Sequence, residues 1–167
     1  MKAGIMTVVS VEKDLQQLQL TLIADFDAPP ERVWQVWQDA RKLERWWGPP
    51  TWPATFTHHE LVVGGTSKYF MTGPDGTKAP GWLRTTSVNA PTSLTFDEGF
   101  ADSEGNPVDL EDKTSFAVSL VPSENGTRMT VVSTFLSAEQ MEKLVTMGMV
   151  EGFTEALGQI DEVLAAD

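Results

Sequence analysis

The chain has 167 residues, 41% of them hydrophobic, and its 24 acidic and 12 basic side chains leave a formal charge of −12. That length favours one domain with a real core, while the charge repels phosphate backbones and anionic membrane surfaces and so argues against nucleic-acid or membrane partners. Cysteine is absent, which removes disulfides, thiol catalysis and cysteine-ligated metals and fits a cytoplasmic location. Residues 1–16 read as an N-terminal arm or a short extra strand, and 17–167 as a single domain. The stretch from Met1 to Val11 is mildly apolar, but Glu12, Lys13 and Asp14 interrupt it and no small-residue cleavage site follows, so no secretory signal is expected. No apolar run approaches the roughly 20 residues of a membrane helix.

Residues 18–26 alternate, with Leu18, Leu20, Leu22, Ala24 and Phe26 on one face, which is the period of a half-buried strand. Asp27-Ala28-Pro29-Pro30 breaks the pattern, and a helix is expected to start there, because proline is tolerated in a first helical turn. Val33, Trp34, Val36 and Trp37 give it an apolar face. A second short helix is expected from Ala40 to Trp47, stopped by Gly48-Pro49-Pro50. Strands are then expected at Thr55–Val63, Ser67–Thr72, Gly81–Val88, Ser93–Gly99, Thr114–Pro122 and Arg128–Leu136. Pro74-Asp75-Gly76 and Glu124-Asn125-Gly126 supply hairpin turns. Residues 101–112, ADSEGNPVDLED, form a long acidic loop of the size that sometimes acts as a lid. Ser137 with Gln140 makes a capping box. Met141, Leu144, Val145, Gly148, Met149, Gly152, Phe153, Ala156, Leu157, Ile160 and Leu164 then recur at spacings of three and four. The spacing predicts one amphipathic helix of roughly 25 residues, about 38 Å long. Together these elements predict an α+β, helix-grip protein: a curved antiparallel sheet wrapped around a long C-terminal helix, with two short helices after the first strand.

Several segments resemble a known family. They are Ala28-Pro29 with Val33-Trp34, Trp46-Trp47-Gly48-Pro49, Gly64-Gly65 ahead of Tyr69-Phe70-Met71, the Asp75-Gly76 turn, Gly126-Thr127-Arg128, and a glycine within the final helix. This set is similar to the bacterial proteins named for their likeness to an activator of the heat-shock chaperone ATPase, within the START-like or birch-pollen-allergen-like superfamily. The resemblance covers roughly residues 18–165 and implies a helix-grip fold with an internal cavity. It implies no single activity, since relatives bind lipids, hormones and polyketides or cyclise them. Two positions depart from the pattern. Glu60-Leu61-Val62-Val63 lacks the arginine usual before the double glycine, and Gly152 is followed by Phe153 in place of tryptophan.

Candidate chemistry is sparse. His58 and His59 are the only histidines, and strand neighbours point to opposite faces, so only one of them can enter the cavity; if Phe56 faces inward, so do His58 and Glu60. His58 would serve as a polar anchor or a general base, or simply sit at the rim. Adjacent histidines on a strand make a poor metal pair, so no metal site and no cofactor are expected. With Phe96 inward, Glu98 would follow it into the cavity, where a carboxylate needs a partner, for which Arg84 is the candidate, or takes a raised pKa; the alternative is that Arg84, Asp97 and Glu98 face water. Six tryptophans suit a pocket mouth or plain core packing. The expected cavity wall is Trp46, His58, Tyr69, Met71, Trp82, Arg84, Phe96, Glu98, Met141, Met149, Gly152 and Phe153. A second glycine one helical turn after Gly148 calls for a reason, either close sheet approach or empty volume. The leading functional expectation is binding of a small apolar or aromatic molecule by a monomer or homodimer. The alternatives are a cyclase-, aromatase- or hydrolase-like enzyme using a His58–Glu98 pair, and a chaperone ATPase-activator-like interaction module.

Overall fold

The computed structural model describes residues 7–166. In chain order the elements are β1 (Val8–Asp14), β2 (Gln19–Phe26), α1 (Pro30–Gln38), α2 (Ala40–Trp46), β3 (Ala54–His59), β4 (Thr66–Thr72), β5 (Lys78–Asn89), β6 (Ser93–Phe100), β7 (Thr114–Ser123), β8 (Gly126–Thr134), α3 (Ala138–Thr146), α4 (Met149–Gly158) and α5 (Ile160–Ala165). The strands form one eight-stranded antiparallel sheet in the order β1-β2-β8-β7-β6-β5-β4-β3. The chain leaves the sheet after β2 for α1 and α2, re-enters at the far edge, and meanders back until β8 pairs with β2. This is the helix-grip architecture, and among the described residues no helix is long and apolar enough to cross a membrane.

Alternation decides the faces. In β2, Leu20, Leu22, Ala24 and Phe26 are buried while the residues between them are half-exposed. The strand starts one residue later than the pattern suggests, because Leu18 adopts a left-handed backbone (φ 57°) in the turn after β1. Under the concave face, α1 and α2 bury Val33, Trp34, Val36, Trp37, Leu43 and Trp46. Trp37, Trp46 and Trp47 meet edge-to-face with centroids 4.8–6.1 Å apart, a favoured geometry for aromatic pairs. Buried indoles need partners, and the Trp46 N–H donates to the Val36 carbonyl at 2.8 Å.

The C-terminal helix departs from the single rod that the periodicity predicts. It runs as three segments, and the main break lies at Gly148 (φ 95°, ψ 20°). That left-handed residue ends α3, with its N–H bonded to the Val145 carbonyl, and its own carbonyl accepts from Gly152 N–H to start α4. Periodicity continues across the break because the apolar spacing is preserved, so the pattern alone hides it. Between α4 and α5 there is only a tightened turn at Gln159 (φ −81°, ψ −13°). The N-terminal end of α3 is capped as expected: Ser137 Oγ accepts from Gln140 N–H at 3.0 Å. The Gln140 side chain reaches back to Leu136 N–H at 2.8 Å. Space around Gly148 is open, so only backbone strain opposes a side chain there. Gly148→Ala is expected to cost about 1–2 kcal/mol, read from urea denaturation. An unchanged midpoint would mean that α3 and α4 straighten into one helix at no cost.

Candidate functional site

A cavity of about 420 Å³ lies between the concave face of β4–β7 and the α3–α4 corner. Of the expected wall, Tyr69, Met71, Glu98, Met149, Gly152 and Phe153 line it. Trp47 and Trp52, offered by the sequence only among six tryptophans suited to a pocket mouth or core packing, line it as well, as do Pro49, Phe100, Phe116, Leu144 and Met147, which sequence reasoning missed. Phe116 was findable, because β7 alternates with Thr114, Phe116, Val118 and Leu120 buried and Phe116 pairs with Phe96. Phe100 continues the Leu94, Phe96, Glu98 face of β6. Trp47, at the C-cap of α2, lines the cavity where its neighbour Trp46 was expected. Space around Gly152 is open, with no heavy atom within 4 Å of where a Cβ would stand. Its missing side chain therefore leaves volume in the wall rather than admitting the sheet.

The polar feature of this cavity is a carboxyl–phenol pair. Tyr69 Oη donates to Glu98 Oε2 at 2.8 Å. Tyr69 reaches it by lying across Gly81, its partner on β5, where a Cβ would stand 2.4 Å from the phenol oxygen. Desolvation pushes the Glu98 carboxyl up to about 7, and the Tyr69 hydrogen bond pulls it partly back. The Tyr69 hydroxyl is raised well above its ordinary value, first by burial and then by the Glu98 charge. The Trp47 indole N–H lies beside that hydroxyl and acts in the opposite direction, yet it lacks the geometry of a formal hydrogen bond. Removing the phenol hydroxyl removes the bond that favours ionised Glu98. In Tyr69→Phe the Glu98 carboxyl is expected to titrate above 7, seen in carbon-detected NMR of the side-chain carboxyl. A fall would mean that the phenol disfavours the carboxylate.

The other expected wall residues lie elsewhere. Arg84 is not the partner of Glu98. In the β5–β6 register it stands opposite Asp97, on the convex face, with Nη2 3.7 Å from Asp97 Oδ2. Asp97 also accepts from Lys113 Nζ at 3.2 Å and Ser115 Oγ at 2.9 Å. Trp82 shares that convex face, packed on Gly99 with the Arg84 guanidinium 5.9 Å from its ring. Phe96 is inward but lies behind the wall, stacked on Phe116 at 5.0 Å. Trp46 and Met141 are fully buried in the core and do not reach the cavity.

His58 also lies outside, and the cause is a β-bulge. The β3–β4 register shifts between Phe56 and His58, so alternation skips one residue. His58 turns to solvent and meets Glu60 at 3.0 Å, and it is His59 that turns inward. His59 Nε2 donates to the Trp37 carbonyl at 2.9 Å, which fixes Nδ1 as the acceptor from Ser67 Oγ at 2.7 Å. Burial lowers its pKa, against the raising effect of the Trp37 carbonyl. It ties β3 to the end of α1 and does not line the cavity. Loop 101–112 is folded by Asp102, whose side chain accepts from Glu104 and Asn106 N–H. Gly105 rests on the Lys68 side chain on the convex side, and only Asp112 reaches the cavity rim, where it accepts from Gln140 at 2.9 Å.

A family model described as activator of Hsp90 ATPase homolog 1-like protein matches residues 27–165. The chain belongs to that family. Solved relatives share its fold over nearly their whole length. A protein from Arthrobacter aurescens is 58% identical with a TM-score of 0.91, covering 96% of this chain and 94% of that one. One from Mycobacterium smegmatis is 43% identical with a TM-score of 0.87, covering 96% and 98%. A Rhodobacter sphaeroides protein at 23% identity and TM-score 0.81, covering 95% and 99%, shares the fold. Comparison with curated proteins found no match. The family is one of ligand-binding or interaction modules.

Proposed function

We propose that this family member binds a small apolar or aromatic molecule in the cavity, with the Glu98–Tyr69 pair as its polar anchor. The supporting observation is a buried phenol bonded to a half-buried carboxyl within an otherwise mostly apolar space of about 420 Å³, inside the usual size range of ligand pockets. Met71, Met147 and Met149 add an adaptable wall. A histidine–carboxylate enzyme loses support, since neither imidazole lines the cavity that holds Glu98. Mass spectrometry of solvent extracts from gently purified protein is expected to show a small organic molecule in stoichiometric amount, absent from Gly152→Leu material. Equal recovery from both proteins would place the molecule elsewhere.

The family's name supplies a second reading, stimulation of a chaperone ATPase. An ATPase assay with the organism's own chaperone tests it, and no stimulation at tens of micromolar would leave it without support.

A further inference from the structure

The cavity's charged groups point to a chemical class. Three charged side chains line it: Glu98, Asp112 and Lys143. Asp112 and Lys143 are exposed residues at the rim, on the loop before β7 and on α3. Glu98 alone is set into the wall. No cation among the described residues pairs with it: Arg84 and Lys113 are on the opposite face of the sheet, bound to Asp97. Among the described residues its one hydrogen bond comes from Tyr69, through Oε2.

Around it stand aromatic rings. Trp47 lies 5.9 Å from Tyr69 and 6.3 Å from Phe153, centroid to centroid, and Phe153 lies 6.0 Å from Phe116. All four rings line the cavity. Aromatic faces attract cations through their quadrupole, and desolvation strengthens that attraction. The Glu98 carboxylate, set into that wall while Asp112 and Lys143 stand at the rim, is the counter-charge a cation needs. The protein's −12 charge raises the local concentration of cations in the same sense.

We propose that the cavity's ligand is an organic cation, an ammonium or quaternary amine on an apolar or aromatic body, with the Glu98 carboxylate as its counter-ion and Trp47, Tyr69, Phe116 and Phe153 as the surrounding wall. The proposal rests on the reading of the cavity as a ligand site and adds the ligand's charge. A neutral ligand accepting a hydrogen bond from protonated Glu98 is the opposing case, and pH separates the two. Cation binding requires the carboxylate, so affinity falls roughly tenfold per pH unit below the Glu98 pKa of about 7 and is flat above it. A neutral acceptor would show the reverse. Of the other titratable groups lining the cavity, Tyr69 from β4 is raised well above its ordinary value and stays neutral in that range, while Asp112 before β7 and Lys143 on α3 stand at the exposed rim.

The test is isothermal titration calorimetry at pH 8.5 and 5.5 with four matched probes: trimethyl(2-naphthylmethyl)ammonium, 2-naphthylmethylammonium, 2-naphthalenemethanol and 2-naphthylacetate. Both cations are expected to bind at least tenfold more tightly than the alcohol at pH 8.5, and the acetate least. Glu98→Gln is expected to abolish that preference and leave the alcohol's affinity in place, because glutamine still accepts from Tyr69. Asp112→Asn, at the rim, is expected to change cation affinity less than threefold. Equal binding of alcohol and cations, tighter binding at low pH, or an equal loss in Asp112→Asn would overturn the charge assignment while leaving the cavity as a ligand site. Failure of all four probes, and of the neutral dye N-phenyl-1-naphthylamine, would overturn both.

Discussion

Glu98→Gln is expected to stabilise the protein at pH 8 by about 3 kcal/mol and to leave it unchanged near pH 4.5. A carboxyl raised from 4.5 to about 7 on folding holds its proton more tightly in the folded chain than in the unfolded one. Below 4.5 both states are protonated and the group contributes nothing. As pH climbs from 4.5 to 7 the unfolded chain releases the proton first, so stability declines, and above 7 the full penalty is present. Glutamine keeps the shape and the bond from Tyr69 without the charge, so it escapes the penalty. The remaining carboxylates titrate in both proteins, and the difference between wild type and variant cancels them. Urea denaturation of the two proteins across pH 4.5–8.5 measures it. A difference that does not vary with pH would mean that Glu98 is solvated in the folded state.

Gly152→Leu is expected to keep or raise stability while weakening binding of N-phenyl-1-naphthylamine at least tenfold. Leucine is a better helix former than glycine by about 0.8–1 kcal/mol. Its side chain enters open space, since nothing lies within 4 Å of the Cβ position, and that space is the cavity. Thermal denaturation and dye fluorescence read the two effects separately. A loss of about 1–3 kcal/mol, the usual cost of overpacking, together with intact dye binding would show that Gly152 serves close packing instead.

The helix-grip architecture was legible because β2, β7 and β8 alternate cleanly and most of the connections carry a glycine or proline. Val33, Trp34, Val36 and Trp37 mark α1 by spacing alone, and Ser137 with Gln140 marks the start of α3. The site was legible only where alternation ran unbroken. Glu98 lies on the same face as Phe96, where alternation puts it, because β6 pairs with β7 without irregularity. His58 was misplaced because one bulge in β3 shifts the phase by a residue, and no residue type there announces it. Arg84 and Trp82 were misplaced because register between strands decides which face answers Glu98, and single-strand periodicity does not carry register. The break at Gly148 is legible only as an ambiguous glycine. A glycine inside a helical pattern marks either a packing contact or a left-handed stop, and the backbone there takes the second course. The Glu98–Tyr69 bond was not anticipated, because it also requires Gly81 to leave room for the phenol.

The methionine methyl groups offer the most direct test of the cavity as the ligand site. The chain has seven methionines, of which Met71, Met147 and Met149 line the cavity, while Met129 and Met141 are buried in the core away from it. In a titration of carbon-13 methyl-labelled protein with N-phenyl-1-naphthylamine, the ring current of a bound probe is expected to shift Met71 and Met149 strongly and Met147 at the rim less. Met129 and Met141 are expected to stay in place. Resonances of Met71 and Met149 that do not move at saturating probe, or shifts confined to Met129 and Met141, would contradict the account.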